Sequence, residues 1–218
     1  MPSSLRGSRS FVVSGWILML VLFGLEWVAG RVPACAAVVA APRITLVIFA
    51  DHRLPDDEWT SLAATLSRRF EDLAAETHLV STGFDVVRGD TLAPGAQFEE
   101  VISVYLHGEC HLHPQPGSYT VHGPLGWVLR DHTQIKPFIH VDCARIAEML
   151  EQRAFGMDQR TRESVMAEAV SRVVLHEWLH IATQNSTHAR DGIFKGAFSI
   201  TDLLPGYTAG GGQPSRGK

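Results

Sequence analysis

The chain has 218 residues, of which 45% are hydrophobic and 19% are charged, and its net charge is −4. This composition excludes a disordered chain and indicates a globular protein that is long enough for one domain with its own core. A negative charge this small gives no reason to expect nucleic acid as a partner.

The N-terminus has the order of regions that is typical of a secretory signal. Arg6 and Arg9 precede the apolar run FVVSGWILMLVLFGL, and the small-residue stretch PACAAVVAA follows it. This order predicts a signal peptide over residues 1–36 and an exported protein, either periplasmic or secreted. An uncleaved membrane anchor and a lipoprotein acylated at Cys35 are the alternatives, and in both the membrane is contacted only through this segment.

Export determines the expected state of the two cysteines that remain after cleavage, Cys110 and Cys143. In an oxidising compartment an even number of cysteines favours pairing, so we predict a Cys110–Cys143 disulfide. The alternatives are two free thiols, or Cys110 as a soft metal ligand within the sequence HGECHLH.

The remaining chain, 41–206, reads as one domain, followed by a Gly-rich tail at 207–218 that we expect to be disordered. A β-branched run from Arg43 predicts the first strand, and apolar residues at spacings of three and four after Pro55 predict an amphipathic helix. Four more strands are predicted by the following segments, the last two as a hairpin: FDVVRG, EVISVYLHG, LGWVLR and KPFIHVD.

Two helices close the predicted domain, one capped by Asp142 and a longer one from about Thr161 to Thr183. The order of elements is strand, helix, several strands and two helices. This order favours an α+β fold with helices packed on a mixed or mainly antiparallel sheet.

The second of these helices contains HEWLH, residues 176–180, which fits the H-E-x-x-H pattern of zinc hydrolases. Residues four apart lie on one face of a helix, so His176 and His180 can bind the same ion. Glu177 lies one step round the helix, where its carboxylate can act as general base toward a water molecule. A helix with two unrelated histidines is the alternative.

A third ligand must come from beyond the motif, and no Glu follows Glu177 in the chain. If the helix continued, His188 would lie about 12 Å further along its axis, so the chain must turn after Gln184 for His188 to reach the ion. Asn185 is a candidate for the left-handed residue of such a turn. Imidazole suits zinc best, which favours His188. Asp191 remains an alternative ligand, or a residue that holds a ligand histidine.

The segments HEWLHIATQNSTHARDGIFKGAFSITDLL and PFIHVDCARI resemble a group of bacterial exported H-E-x-x-H proteins that is similar to metzincin-like zinc peptidases. The resemblance covers about the last eighty residues. It implies a zincin-like domain with His176, His180 and His188 as ligands and Glu177 as base. The chain departs from the metzincin pattern because seven residues separate the last two histidines and no methionine follows Met166.

Four further histidines have polar or structural roles as their simplest interpretation. His107, His111 and His113 lie close together in HGECHLH and could form a second metal site, although their spacing favours polar loop residues. His140 could reach the active site, but a hydrogen-bonded structural histidine is the simpler interpretation.

Two functions are consistent with these features. The first is an exported hydrolase with one zinc ion, most simply a peptidase whose substrates are peptides or proteins. The second is an exported metal-binding or interaction protein that uses a zincin-like scaffold without catalysis. The presence of Glu177 favours the enzyme, because a structural metal site has no need of a base.

Overall fold

A computed structural model describes residues 43–77, 83–113, 123–190 and 192–204 of the protein. The strands are β1 Ile44–Ala50, β2 Phe84–Arg88, β3 Glu100–His107, β4 Gly126–Asp131 and β5 Gln134–Asp142. The α-helices are α1 Asp56–Thr77, α2 Cys143–Ala154, α3 Gln159–Thr183 and α4 Ile200–Leu203. Short 3-10 turns lie at Gly89–Thr91 and Gly192–Phe194. The predicted signal peptide, the predicted tail and Asp191 lie outside the described residues.

The five strands form one mixed sheet in the order β2-β1-β3-β5-β4. β1 pairs in parallel with β2 and with β3, and β3 pairs in parallel with β5. Only β4 runs antiparallel, as the outer strand of the predicted hairpin. The expected α+β fold with a mixed sheet is therefore confirmed, and the alternative of a mainly antiparallel sheet is wrong. The parallel β1–β2 pair is possible because α1 provides the crossover connection between these two strands.

The strand register aligns the buried residues into rows on one face of the sheet. One row joins Ile48, Val104 and Ile139, and the next joins Leu106, Val141 and Gly126. The five aliphatic side chains of these rows are almost fully buried. This face of the sheet forms one side of the hydrophobic core. Gly126 is the last residue of the second row and lies in the edge strand β4.

Helix α3 is the central element of the core. From Val165 to His180 every residue except Arg172 is buried, as expected for a helix surrounded by other elements. Trp178 meets Phe70 of α1 and Phe84 of β2 in edge-on ring contacts, with centroids 5.3 and 5.6 Å apart. Trp178 therefore packs the motif helix against its neighbours.

Helices α2 and α3 each have a capping side chain at their beginning. The carboxylate of Asp142 accepts a hydrogen bond from the main-chain N–H of Arg145 at 2.9 Å, which confirms the predicted cap of α2. Asp158 caps α3 in the same way, accepting from Thr161 at 2.9 Å. Within the described ranges, no helix is both long enough and apolar enough to span a bilayer.

Cys110 and Cys143 form a disulfide that joins the segment after β3 to the first residue of α2. The two Cα atoms are 4.7 Å apart, and Cys143 is fully buried. The predicted pairing is therefore present, and in this bonded state Cys110 is no metal ligand.

We predict that reduction of the disulfide destabilises the domain by about 3–4 kcal/mol, because the bridge closes a loop between residues 33 apart in sequence. Urea unfolding with and without dithiothreitol measures the change. The double variant C110S/C143S is the control, since its stability should be low and should not respond to the reductant. An equal midpoint for the reduced and oxidised parent protein would contradict the prediction.

Candidate metal centre

Three imidazole rings converge at the C-terminal end of α3. The Nε2 atom of His180 lies 3.0 Å from Nε2 of His176 and 3.2 Å from Nε2 of His188. All three nitrogens lie within 4.8 Å of one another. His176 and His180 are buried, whereas His188 is exposed. The structure thus brings together the three residues that the sequence singled out as ligands.

The other ring nitrogens of the two helical histidines bind main-chain carbonyl groups. Nδ1 of His176 is 2.5 Å from the carbonyl oxygen of Ile193, and Nδ1 of His180 is 2.6 Å from that of Asn185. A carbonyl oxygen can only accept, so each Nδ1 must carry the proton and donate it. In the neutral rings the lone pairs are therefore on the two Nε2 atoms that face each other.

The turn that returns the chain to the site begins at Gln184, not at Asn185. Gln184 has left-handed backbone angles, φ 50° and ψ 29°, so the residue predicted for this conformation was wrong by one position. Asn185 stabilises the next part of the turn instead, because its side-chain oxygen accepts a hydrogen bond from the N–H of Thr187 at 2.9 Å.

A contact between distant segments explains why Gln184 adopts the left-handed conformation. Its side-chain oxygen accepts from the N–H of Ile135 at 2.9 Å, and its amide nitrogen donates to the carbonyl of Ile135 at 3.0 Å. The same nitrogen donates to the carbonyl of Ile181 at 2.8 Å. These bonds join the end of α3 to the beginning of β5 and offset the strain of a left-handed non-glycine residue.

His188 is packed between a ring and a glycine. Its imidazole lies parallel to that of His176, with centroids 5.3 Å apart and an interplanar angle of 3°. A Cβ atom on Gly196 would lie 3.0 Å from His188 Cγ, so a side chain there would crowd the imidazole. Phe198 contacts His176 edge-on, with ring centroids 5.1 Å apart.

The surroundings of His176 and His188 lower the pKa of both side chains and so favour their neutral forms. Burial lowers the pKa of His176 to about 4, and the neighbouring histidines add to this effect. The pKa of His188 is also lowered, first by partial burial and then by the positive charges that His180 and Arg130 can carry. Neutral imidazoles are the form that binds a metal ion.

The donor set fits a metal ion. Two lone-pair nitrogens 3.0 Å apart, with a third 3.2 Å away, repel one another unless a proton or a cation lies between them. The second nitrogens of His176 and His180 are hydrogen-bonded to carbonyl groups, which is the arrangement that orients ligand histidines in metalloproteins. Three imidazoles match zinc better than they match calcium or magnesium.

Glu177 is buried beside the histidines, against the edge strand of the sheet. A Cβ atom on Gly126 would lie 2.5 Å from Val173 and 3.1 Å from the Oε1 atom of Glu177. Only a glycine lets β4 pass this close to α3. Burial raises the pKa of Glu177 to about 7, in the range where a carboxyl group can both accept and release a proton.

The histidines and Glu177 open into a cleft of about 450 Å³. β4 forms one wall, since Gly126, Trp127, Val128 and Arg130 all line the cleft. β4 is the outermost strand, so its outer edge is not paired with another strand of the sheet. The opposite side of the cleft is formed by Ser186, His188 and the segment 196–198.

The other histidines considered from the sequence lie away from these ligands. His107 and His140 bind each other, with Nε2 and Nδ1 2.8 Å apart, and Trp127 stacks on both rings. His111 contacts Glu58 at 2.6 Å, and His113 contacts Glu109 at 3.3 Å. No second group with three metal-type ligands is found among the described residues.

Sequence reasoning did not identify several residues of the site. Two of them are glycines, Gly126 and Gly196, which matter because a side chain at either position would overlap or crowd a neighbour. The other two, Gln184 and Phe198, contact residues that are distant in the chain. The strand pattern already placed Gly126 in a strand, and a glycine inside a strand often marks a close approach of another group. That is the signal that could have found it.

We predict that Glu177→Gln stabilises the metal-free protein at high pH but has little effect at low pH. Burial raises the pKa of Glu177 from the ordinary 4.5 to about 7. The stabilisation by its bound proton is therefore complete below pH 4.5 and is lost as the pH rises through 7. A Gln side chain has no proton to lose, so its stability does not fall in this way as the pH rises. The variant should therefore melt about 5 °C above the parent at pH 8.5.

Thermal melts in the presence of a chelator at pH 8.5 and pH 4.5 test this prediction. The low pKa of His176 destabilises both proteins equally at pH 4.5, and its effect cancels in the comparison. If the variant and the parent differ in Tm by the same amount at both pH values, burial does not raise the pKa of Glu177 and the prediction is wrong.

Comparison with known proteins gives one structural similarity. No family model matches the chain, and no curated protein matches it. Archaemetzincin from Methanopyrus kandleri is similar with a TM-score of 0.43 and 14% identity, over 77% of this chain and 88% of that protein. A likeness of this size carries no argument about activity, so the assignment of the site depends on the geometry of the histidines and Glu177.

Proposed function

We propose that the protein is an exported zinc-dependent hydrolase that cleaves peptides. The observation that supports it best is the convergence of three imidazole Nε2 atoms beside a buried carboxyl group in an open cleft. Three protein ligands with a free fourth position are typical of catalytic zinc sites, whereas structural sites use four. Export is proposed from the N-terminal sequence alone.

His176, His180 and His188 would hold the ion. Zinc bound there would polarise a water molecule and a substrate carbonyl group. The Glu177 carboxylate then takes a proton from the attacking water and passes it to the leaving amine. The Glu177 side chain is buried where Gly126 of β4 approaches α3, and it lines the cleft.

The edge of β4 supports a peptide as the substrate. An extended peptide can add to an unpaired strand edge through main-chain hydrogen bonds. Gly126 brings this edge next to Glu177, so a peptide paired with β4 would have its carbonyl groups close to the base and to the three histidines.

An exported metal-binding protein without catalysis is the alternative function. It would use the same histidines but would have no use for Glu177, whose burial as a carboxyl group is unfavourable at neutral pH. A buried ionisable group that the fold does not need is more typical of an active site.

We predict that Glu177→Gln binds one zinc ion as the parent protein does but loses hydrolysis by at least about 100-fold, because only the proton transfer is removed. Zinc content is measured by mass spectrometry after dialysis, and hydrolysis by a panel of quenched fluorescent peptides. The parent activity should disappear with a chelator and return with zinc. A parent protein that binds zinc but cleaves no peptide would favour the non-catalytic alternative.

We predict that His188→Ala lowers zinc affinity by about 100-fold or more, since one of three ligands is lost. His52→Ala is the matched control, because His52 is exposed and lies outside the cleft. Asp191→Ala tests the alternative ligand and should bind zinc like the parent. Titration against a fluorescent chelator measures each affinity. Unchanged binding in H188A together with weaker binding in D191A would reassign the third ligand.

A further inference from the structure

We infer that the cleft selects peptides that carry a carboxylate near the bond to be cleaved, and that Arg130 is the side chain that recognises it. This inference rests on the proposed function, because it concerns the substrate of the same site. It adds the chemical class of the peptide, which the ligand geometry alone leaves open.

Arg130 lies in the wall of the cleft at the far end of the edge strand from Gly126. In the hairpin it pairs with Ile135, the residue whose main chain is held by Gln184. The same turn continues to His188. Arg130 is therefore fixed at the end of β4 that adjoins the turn with the third histidine.

The charges that line the cleft are mostly positive. Arg130 and Arg145 are its cations, and Glu177 is the one carboxyl group among the described lining residues. No described residue forms an ion pair with Arg130. The adjacent carboxylate of Asp131 instead contacts His132 at 2.7 Å and Lys136 at 3.4 Å. Arg130 is exposed and lines the cleft without an ion pair to the part of the chain that the structure describes.

The guanidinium group determines the kind of partner. It offers parallel N–H donors that match the two oxygens of a carboxylate, and its charge is permanent. In a peptide, carboxylates come from Asp and Glu side chains and from the C-terminus. A Lys or Arg side chain in the same position would be repelled.

The distance along β4 places the recognised group. Gly126 is next to Glu177, and Arg130 is four residues further along the strand. At about 3.3 Å per residue this corresponds to roughly 13 Å. A peptide paired with the strand edge would therefore present its carboxylate about two to four residues from the bond beside Glu177, given the reach of an arginine side chain.

Binding to zinc-saturated Glu177→Gln tests the inference without turnover. The probes are four hexapeptides based on alanine. Three are amidated at the C-terminus and have Glu, Lys or Ala at one internal position. The fourth contains only alanine and has a free C-terminal carboxylate. We expect a carboxylate peptide to bind about three to ten times more tightly than the neutral amidated one at low salt. The two carboxylate probes distinguish a side chain from a C-terminus as the recognised group.

Arg130→Gln in the same background should remove the preference for the carboxylate, and Arg130→Glu should reverse it in favour of the Lys peptide. Arg160→Gln is the matched control with the same change in charge. It lies at the beginning of α3, sixteen residues before His176, or about 24 Å along the helix. This control should keep the preference.

The inference is overturned if carboxylate and neutral peptides bind equally, if no peptide binds, or if Arg130→Gln keeps the preference. The proposed function is tested separately, by measuring peptide hydrolysis by the parent protein. Hydrolysis without a carboxylate preference would leave the peptidase in place and remove the role of Arg130. A carboxylate preference without hydrolysis would support recognition by Arg130 and contradict the peptidase.

Discussion

The hydrogen bonds from two imidazoles to main-chain carbonyl groups are the interaction on which the whole site depends. His176 and His180 project from a buried helix, where an unpaired ring N–H would be unfavourable. Ile193 and Asn185 accept those N–H groups, and this leaves the opposite nitrogens as lone pairs that face each other. The segment after the helix therefore determines both the tautomer and the direction of the rings.

The sheet contributes the second half of the site through one antiparallel strand. Three parallel pairings join β2, β1, β3 and β5, and β4 is added outside β5. Since β4 ends the sheet, it forms one wall of a cleft into which the histidines and Glu177 at the end of α3 open. Gly126 makes the approach possible, because any side chain there would overlap Val173.

Local patterns in the sequence predicted the strands, the long helices and the cap by Asp142, because each depends on residues that are close together in the chain. The sheet order was less accessible, since parallel pairing depends on how α1 crosses between β1 and β2. The left-handed residue was assigned to Asn185 from its intrinsic preference. The structure has Gln184 there, because its amide binds Ile135, a strand residue 49 positions away. Contacts of this kind have no local sequence signal.

The turn from Gln184 to His188 has a consequence for how such proteins are recognised. The turn between His180 and His188 begins at Gln184, whose side chain binds Ile135 of the hairpin. Other turns could deliver a third histidine to the same place with a different number of residues. A search that requires one fixed spacing would miss them, whereas a search for a histidine after the helix stop, with a glycine strand residue earlier in the chain, would retain them.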